Sequence, residues 1–174
     1  MARHAAVMPP SPLDDATAAR EASEAVERDL GLEMGRAKQR IKDCDGLLQQ
    51  CNTDVNKYQD PAVIDLRMQA TEGITAQRRT LDAALAEVQA RRNAAVRAMM
   101  EAQETERTLK ATARHHWLAW RTARQDAANQ SLTPIERALA SRALATAAAQ
   151  LTQVVGEAEA LRLTTEPGAR PQWG

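Results

Sequence analysis

Three prolines divide this chain, and each follows a residue able to cap a helix: Ser11-Pro12, Asp60-Pro61 and Thr133-Pro134. Proline fits the first helical turn, where its missing N–H costs nothing, and Ser, Asp or Thr just before it can accept from the free N–H groups. Ser11 precedes Asp14 by three residues, and Thr133 precedes Glu136 by three, the spacing of a reciprocal capping box. No other proline falls between Pro12 and Pro167, and the only glycine between Pro61 and Pro134 is Gly73. A helix from Pro61 to about Asn129 spans on the order of 100 Å at ~1.5 Å per residue, too long for an ordinary globular domain. The expected helices cover about 12–59, 61–129 and 134–163.

Composition agrees. The 174 residues carry no Phe, one Tyr and three Trp, whereas a globular core of this size draws more of its buried area from large rings. Ala, Glu, Gln, Arg and Leu fill the middle, the composition of long helices and coiled coils. No alternating β-branched run predicts a strand. Charges interrupt every apolar stretch well short of the ~18 residues that would suggest a membrane span. The apolar content of Met1 to Pro12 is too short for a secretory signal. These readings predict a cytosolic protein, with export through a pattern-free N-terminal signal left open.

The second half of the first helix carries a three-four seam: Met34, Ala37, Ile41, Cys44, Leu48, Cys51, Val55 and Tyr58. Earlier on, Gly31 and Gly35 each cost about 1 kcal/mol relative to Ala and make a kink or fraying plausible. Cys44 and Cys51 lie two turns apart, ~10 Å along one helix, beyond disulfide reach. They read as a metal or redox pair or as two small buried seam residues, and the absence of nearby His or Cys favours the second. The next helix carries a sparser seam: Leu81, Leu85, Val88, Arg92, Ala95, Met99, Ala102, Glu106, Leu109, Ala113, His116 and Trp120. Polar Arg92 and Glu106 can fix register there. The third seam is Ala140, Leu144, Ala147, Leu151, Val154, Ala158 and Leu161.

The short link at Tyr58–Pro61 makes the first two helices antiparallel neighbours. Counting outward pairs Ile41 with Arg78, Ala37 with Leu81, Met34 with Leu85 and Leu30 with Val88, and brings Glu27 to Arg92. The turn at Asn129–Thr133 folds the third helix back, setting Leu144 against Trp120, Leu151 against Ala113 and Val154 against Leu109. The expected fold is all-α: an elongated antiparallel coiled-coil hairpin with a third helix folded back on one end. It reads as one domain over 1–166, followed by a disordered tail over 167–174 in which Trp173 is either a docking residue or incidental.

A basic stripe runs beside the second seam: Arg107, Lys110, Arg114, Trp117, Arg121 and Arg124, with no acid over 107–124. It reads either as a docking face for an acidic partner, a membrane surface or nucleic acid, or as a face neutralised by the acidic start of the first helix and by Glu157 and Glu159. An exposed Trp117 belongs to the first reading and a Trp117 tucked under the third helix to the second. Catalytic chemistry is not legible: there is no phosphate-binding glycine loop, zinc spacing or nucleophile motif. His115 and His116 point ~100° apart on a helix, and His116 reads as a packed seam residue. The expectation is a non-enzyme with no cofactor, no metal and no small-molecule substrate. Zero net charge and the lack of a recognised module argue against nucleic acid.

The seam from Met34 to Tyr58, the break at Asp60-Pro61 and the long run from Val63 to Gln130 resemble the central-stalk proteins of type III secretion systems. These form the FliJ/YscO-like family, and the Ala/Arg-rich character is most similar to its Hrp-type branch. The third helix from Thr133 departs from the plain two-helix members. The resemblance implies a virulence-associated bacterial stalk inserted into a hexameric export ATPase, with export-gate or chaperone proteins as further partners. It implies a place in the cytoplasm or at the cytoplasmic face of the inner membrane, reached only through a complex. Two other classes stay open: a structural or scaffolding coiled coil of a phage or filament, and a helical secretion chaperone or adaptor.

Overall fold

The structure, a computed structural model, describes residues 10–57, 60–166 and 168–173. Four helices make up nearly all of it: α1 (Pro12–Lys57), α2 (Pro61–Ala128), α3 (Pro134–Val155) and α4 (Glu157–Thr165). Among the described residues there is no strand, and no helix is long and apolar enough to cross a membrane. The fold is all-α, with α1 and α2 packed closely as a helical hairpin.

All three proline starts carry the expected caps. Asp14 N–H donates to Ser11 Oγ at 3.2 Å, while Ser11 N–H donates to Asp14 Oδ2 at 3.1 Å. Ala62 N–H donates to Asp60 Oδ1 at 3.0 Å. At α3 the Thr133–Glu136 box closes in both directions, and it lowers the Glu136 pKa because Thr133 donates to the carboxylate. Helix α1 continues through Gly31 and Gly35 without a break. Tyr58 and Gln59, the expected last seam residue and helix end, lie outside the described residues, as does Pro167.

The contacts divide into two compact units, where the sequence reads as one domain. The unit Ser23–Met99 is a two-helix pair built from parts of α1 and α2. Leu30, Cys44, Cys51 and Val88 are its buried apolar residues. The other seam positions, such as Met34, Ile41, Leu81 and Leu85, are half-buried, because two helices can cover only one stripe of each other. Both cysteines are free and buried on the seam. Ion pairs lace the helices together: Arg92 Nη2 to Glu27 Oε1 at 2.6 Å, Arg67 Nη2 to Asp54 Oδ2 at 3.0 Å, Arg91 to Glu33, and Arg78 to Asp45. The Glu27–Arg92 pair matches the counted register. Arg78 meets Asp45, one turn beyond the Ile41 expected opposite it, since a long guanidinium reaches along the groove to a carboxylate.

The other unit joins the described residues up to Ala22 to those from Met100 onward. Leu13, Ala113, Leu151, Val155, Ala160 and Leu163 form its core, with Leu109, Trp117, Val154, Ala169 and Trp173 packed against it. Ala113 and Leu151, expected as neighbours, are both fully buried. Glu106, polar on an apolar seam, is held on three sides. Arg20 Nε lies 2.7 Å and Lys110 Nζ 3.0 Å from its carboxylate, and Thr17 Oγ1 donates at 3.2 Å.

Two expectations change in this unit. The third helix does not run unbroken over 134–163: it stops at Val155, and α4 starts at Glu157. Gly156 has φ 81° and ψ 166°, a conformation essentially reserved for glycine, and a Cβ there would sit 3.1 Å from Ser11 Cβ. The break lets the buried start of α1 approach and rotates the apolar face. Ala160 and Leu163 become buried, whereas Ala158 and Leu161 of the expected seam are exposed. The second change is in the tail. Residues 168–173 fold back: Ala169 and Trp173 pack on the core, and Arg162 Nη2 donates to the Arg170 carbonyl at 3.0 Å.

Candidate partner-binding cavity

The three-four spacing of Arg114, Trp117, Arg121 and Arg124 puts these side chains on one face of α2, beside the seam that carries Ala113 and Trp120. The end of α4 and the segment 168–173 cover that face only partly. Between them lies a cavity of about 910 Å³, lined by all three tryptophans of the chain, Trp117, Trp120 and Trp173. Four arginines share the lining, Arg114, Arg121, Arg124 and Arg170, against one carboxylate, Glu166.

The rings and guanidiniums are ordered against each other. Arg121 Cζ stands 5.7 Å from the Trp117 ring centroid, and Arg124 Cζ 5.1 Å from that of Trp120. Both lie within the ~6 Å range of a cation–π contact, which holds a guanidinium in place and leaves its edge N–H groups available. Among the described residues none of these four arginines forms an ion pair. The indole Nε1 atoms of Trp117 and Trp173 are buried and have no hydrogen-bond partner. A buried donor left without an acceptor costs about 1–3 kcal/mol, a cost the packing of these rings on the core offsets.

Of the six stripe residues, four line the cavity: Arg114, Trp117, Arg121 and Arg124. Arg107 is exposed on α2 and lies outside it. Lys110 is bound to Glu106 and is also outside. Lys110 is thus the neutralised member of the stripe, its charge taken up by its own helix. Glu159, expected to neutralise the stripe, instead takes Arg162 in a two-point pair at 2.6 Å, which raises the arginine's pKa. Trp117 has two roles: it packs against the core and lines the cavity. The sequence reading placed Trp120 only on the seam and missed Arg170 and Glu166. Trp173, an aromatic residue in a Pro/Gly-rich tail, was the available signal.

Elsewhere chemistry is sparse. Among the described residues no group of three or more His, Cys, Asp or Glu side chains is arranged to hold a metal ion. Glu106 is held below the ordinary carboxylate pKa of 4.5, first by the hydrogen bond from Lys110, with Lys110 charge, Thr17 and Arg20 adding and burial opposing. A carboxylate kept charged by three donors acts as a structural pin. The cavity can therefore bind, orient and neutralise an anionic group beside an apolar one. No family model, curated protein or solved structure matches this chain.

Proposed function

We propose that this chain is a non-catalytic, protein-binding component of a bacterial type III secretion system, acting as the central stalk of a hexameric export ATPase. The observation that carries the reading is the unit Ser23–Met99, two long helices sharing one thin seam, whose outer faces carry charges and separate apolar side chains. Val26, Leu32, Leu47, Leu66 and Met68 are all more than half exposed there. Such faces offer many weak contacts, suited to a rod that meets successive subunits of a ring without fixing to one. The Ala/Arg-rich hairpin sequence and its break at Asp60-Pro61 supply the family resemblance. In this reading the export-gate or chaperone proteins are the further partners, and the stalk works at the cytoplasmic face of the inner membrane through its complex.

The test is co-purification of the tagged full chain with its cognate secretion ATPase, followed by the hydrolysis rate of the ring with and without the chain. A stalk brings down the intact hexamer and raises its turnover. A pull-down without the ATPase ring rejects the assignment. One observation favours the scaffolding alternative: Ile135 and Leu139, a turn apart on α3, are 73% and 62% exposed. Their burial between copies predicts oligomers that grow with concentration in light scattering, whereas a stalk stays monomeric until it meets its ring.

A further inference from the structure

We infer that the tryptophan–arginine cavity at the end of α2 is a binding site for an acidic linear peptide segment carrying apolar side chains. The inference rests on the protein-binding reading only in taking a peptide as occupant, and it is independent of the ATPase ring.

Charge sets the first requirement. Four guanidiniums share the lining with one carboxylate, Glu166, while Glu106 is taken up by Arg20 and Lys110 and Glu159 by Arg162. An occupant bearing carboxylates is the complement, since guanidinium N–H groups bind carboxylates through paired, charge-assisted hydrogen bonds. Apolar chemistry sets the second. Indole rings line the interior together with Leu163 and Ala169, so an occupant of acidic groups alone leaves that surface wet.

A nucleotide also combines an anion with an apolar ring, but its base needs an open aromatic face to stack on. Trp117 and Trp120 already hold a guanidinium over the ring, Trp117 packs on the core, and Trp120 is buried. An extended peptide alternating acidic and apolar side chains needs no such face. It can set its carboxylates on Arg121, Arg124 and Arg170 along one face and turn its aliphatic groups to the rings with the other.

The experiment uses the intrinsic emission of the full chain, since every tryptophan lines the cavity. The probe is an N-acetylated, C-amidated peptide of alternating Asp and Leu, compared with the same peptide carrying Asn for Asp. The expected result is a saturable emission change with the acidic peptide, weakened by added salt. Affinity should fall at least roughly tenfold for the Asn peptide and for the Arg121→Gln/Arg124→Gln double variant, the scale of one lost charge-assisted hydrogen bond. Arg137→Gln on α3, a charge removed away from the cavity, should leave the affinity unchanged. Circular dichroism establishes that each variant keeps its helices. Equal binding of the two peptides, or binding that survives the double variant, overturns the inference. Saturation by ADP or pyrophosphate with no response to the acidic peptide also overturns it, in favour of a small phosphate ligand.

Discussion

The two units use the same Ala-rich helices to reach different ends. In Ser23–Met99 two helices meet along one stripe, and a buried Leu30 still keeps 6% of its surface. In the other unit α3, α4 and residues 168–173 pack over the end of α2, and Leu151 and Ala113 lose all of theirs. A residue becomes enclosed only when elements close on it from more than one side, so a third layer turns a seam into a core. The enclosed unit can hold three tryptophans and a cavity. Among the described residues the open pair shows four cross-helix ion pairs, which lie at half-exposed positions and fix register more than they add stability.

Matched truncations test this contrast hardest. Leu151→Ala should cost toward the top of the ~2–5 kcal/mol range for buried leucine, because its surroundings cannot collapse, and Leu30→Ala should fall near the bottom. Tryptophan emission reports only the unit that contains all three rings, while circular dichroism sees both. Leu151→Ala should therefore move the denaturant midpoint by emission, and Leu30→Ala mainly the midpoint by circular dichroism. Equal effects on both probes would merge the units into one cooperative body.

Gly156→Ala comes next. A side chain at φ 81° meets Ser11 and forces a strained backbone, at a cost of about 1–3 kcal/mol. Thermal melting should show this loss in the tryptophan signal. A neutral outcome would mean that the α3–α4 break needs no glycine.

Glu106→Gln has the smallest expected effect, about 1–2 kcal/mol at neutral pH from lost charge-assisted hydrogen bonds. Its signature is the pH dependence. The folded carboxyl titrates below its ordinary value of 4.5, so its stabilisation is complete above that value and fades as pH falls through the folded one. The gap in stability between the native chain and the variant should therefore close in acid. A gap that stays constant from neutral to acidic pH would show that Glu106 acts by shape rather than charge.

Much of this architecture is legible in the sequence because it follows local rules. The capping pairs at Ser11, Asp60 and Thr133 read directly as helix starts. Every position of the long α2 seam from Leu81 to Trp120 is at least partly buried. Arg92, anomalous on an apolar seam, points to Glu27 once the hairpin is counted. What escapes the sequence depends on non-local contact. Gly156 looks tolerable inside a helix until Ser11 is seen to need its space. The tail from Gly168 has the composition of disorder, yet Trp173 and Ala169 find a hydrophobic surface to cover. The cavity is half legible for the same reason: its α2 wall is a periodic pattern, and its opposite wall is made by the end of α4 together with that return.

Native-state hydrogen exchange on the full chain tests the division between enclosed core and open pair most directly. Amides of 108–123 and 147–155 should exchange only through the highest-energy opening, and those of 30–55 and 64–92 through an opening several-fold to many-fold more populated. Uniform protection along α2, with no step between the two groups, would contradict it.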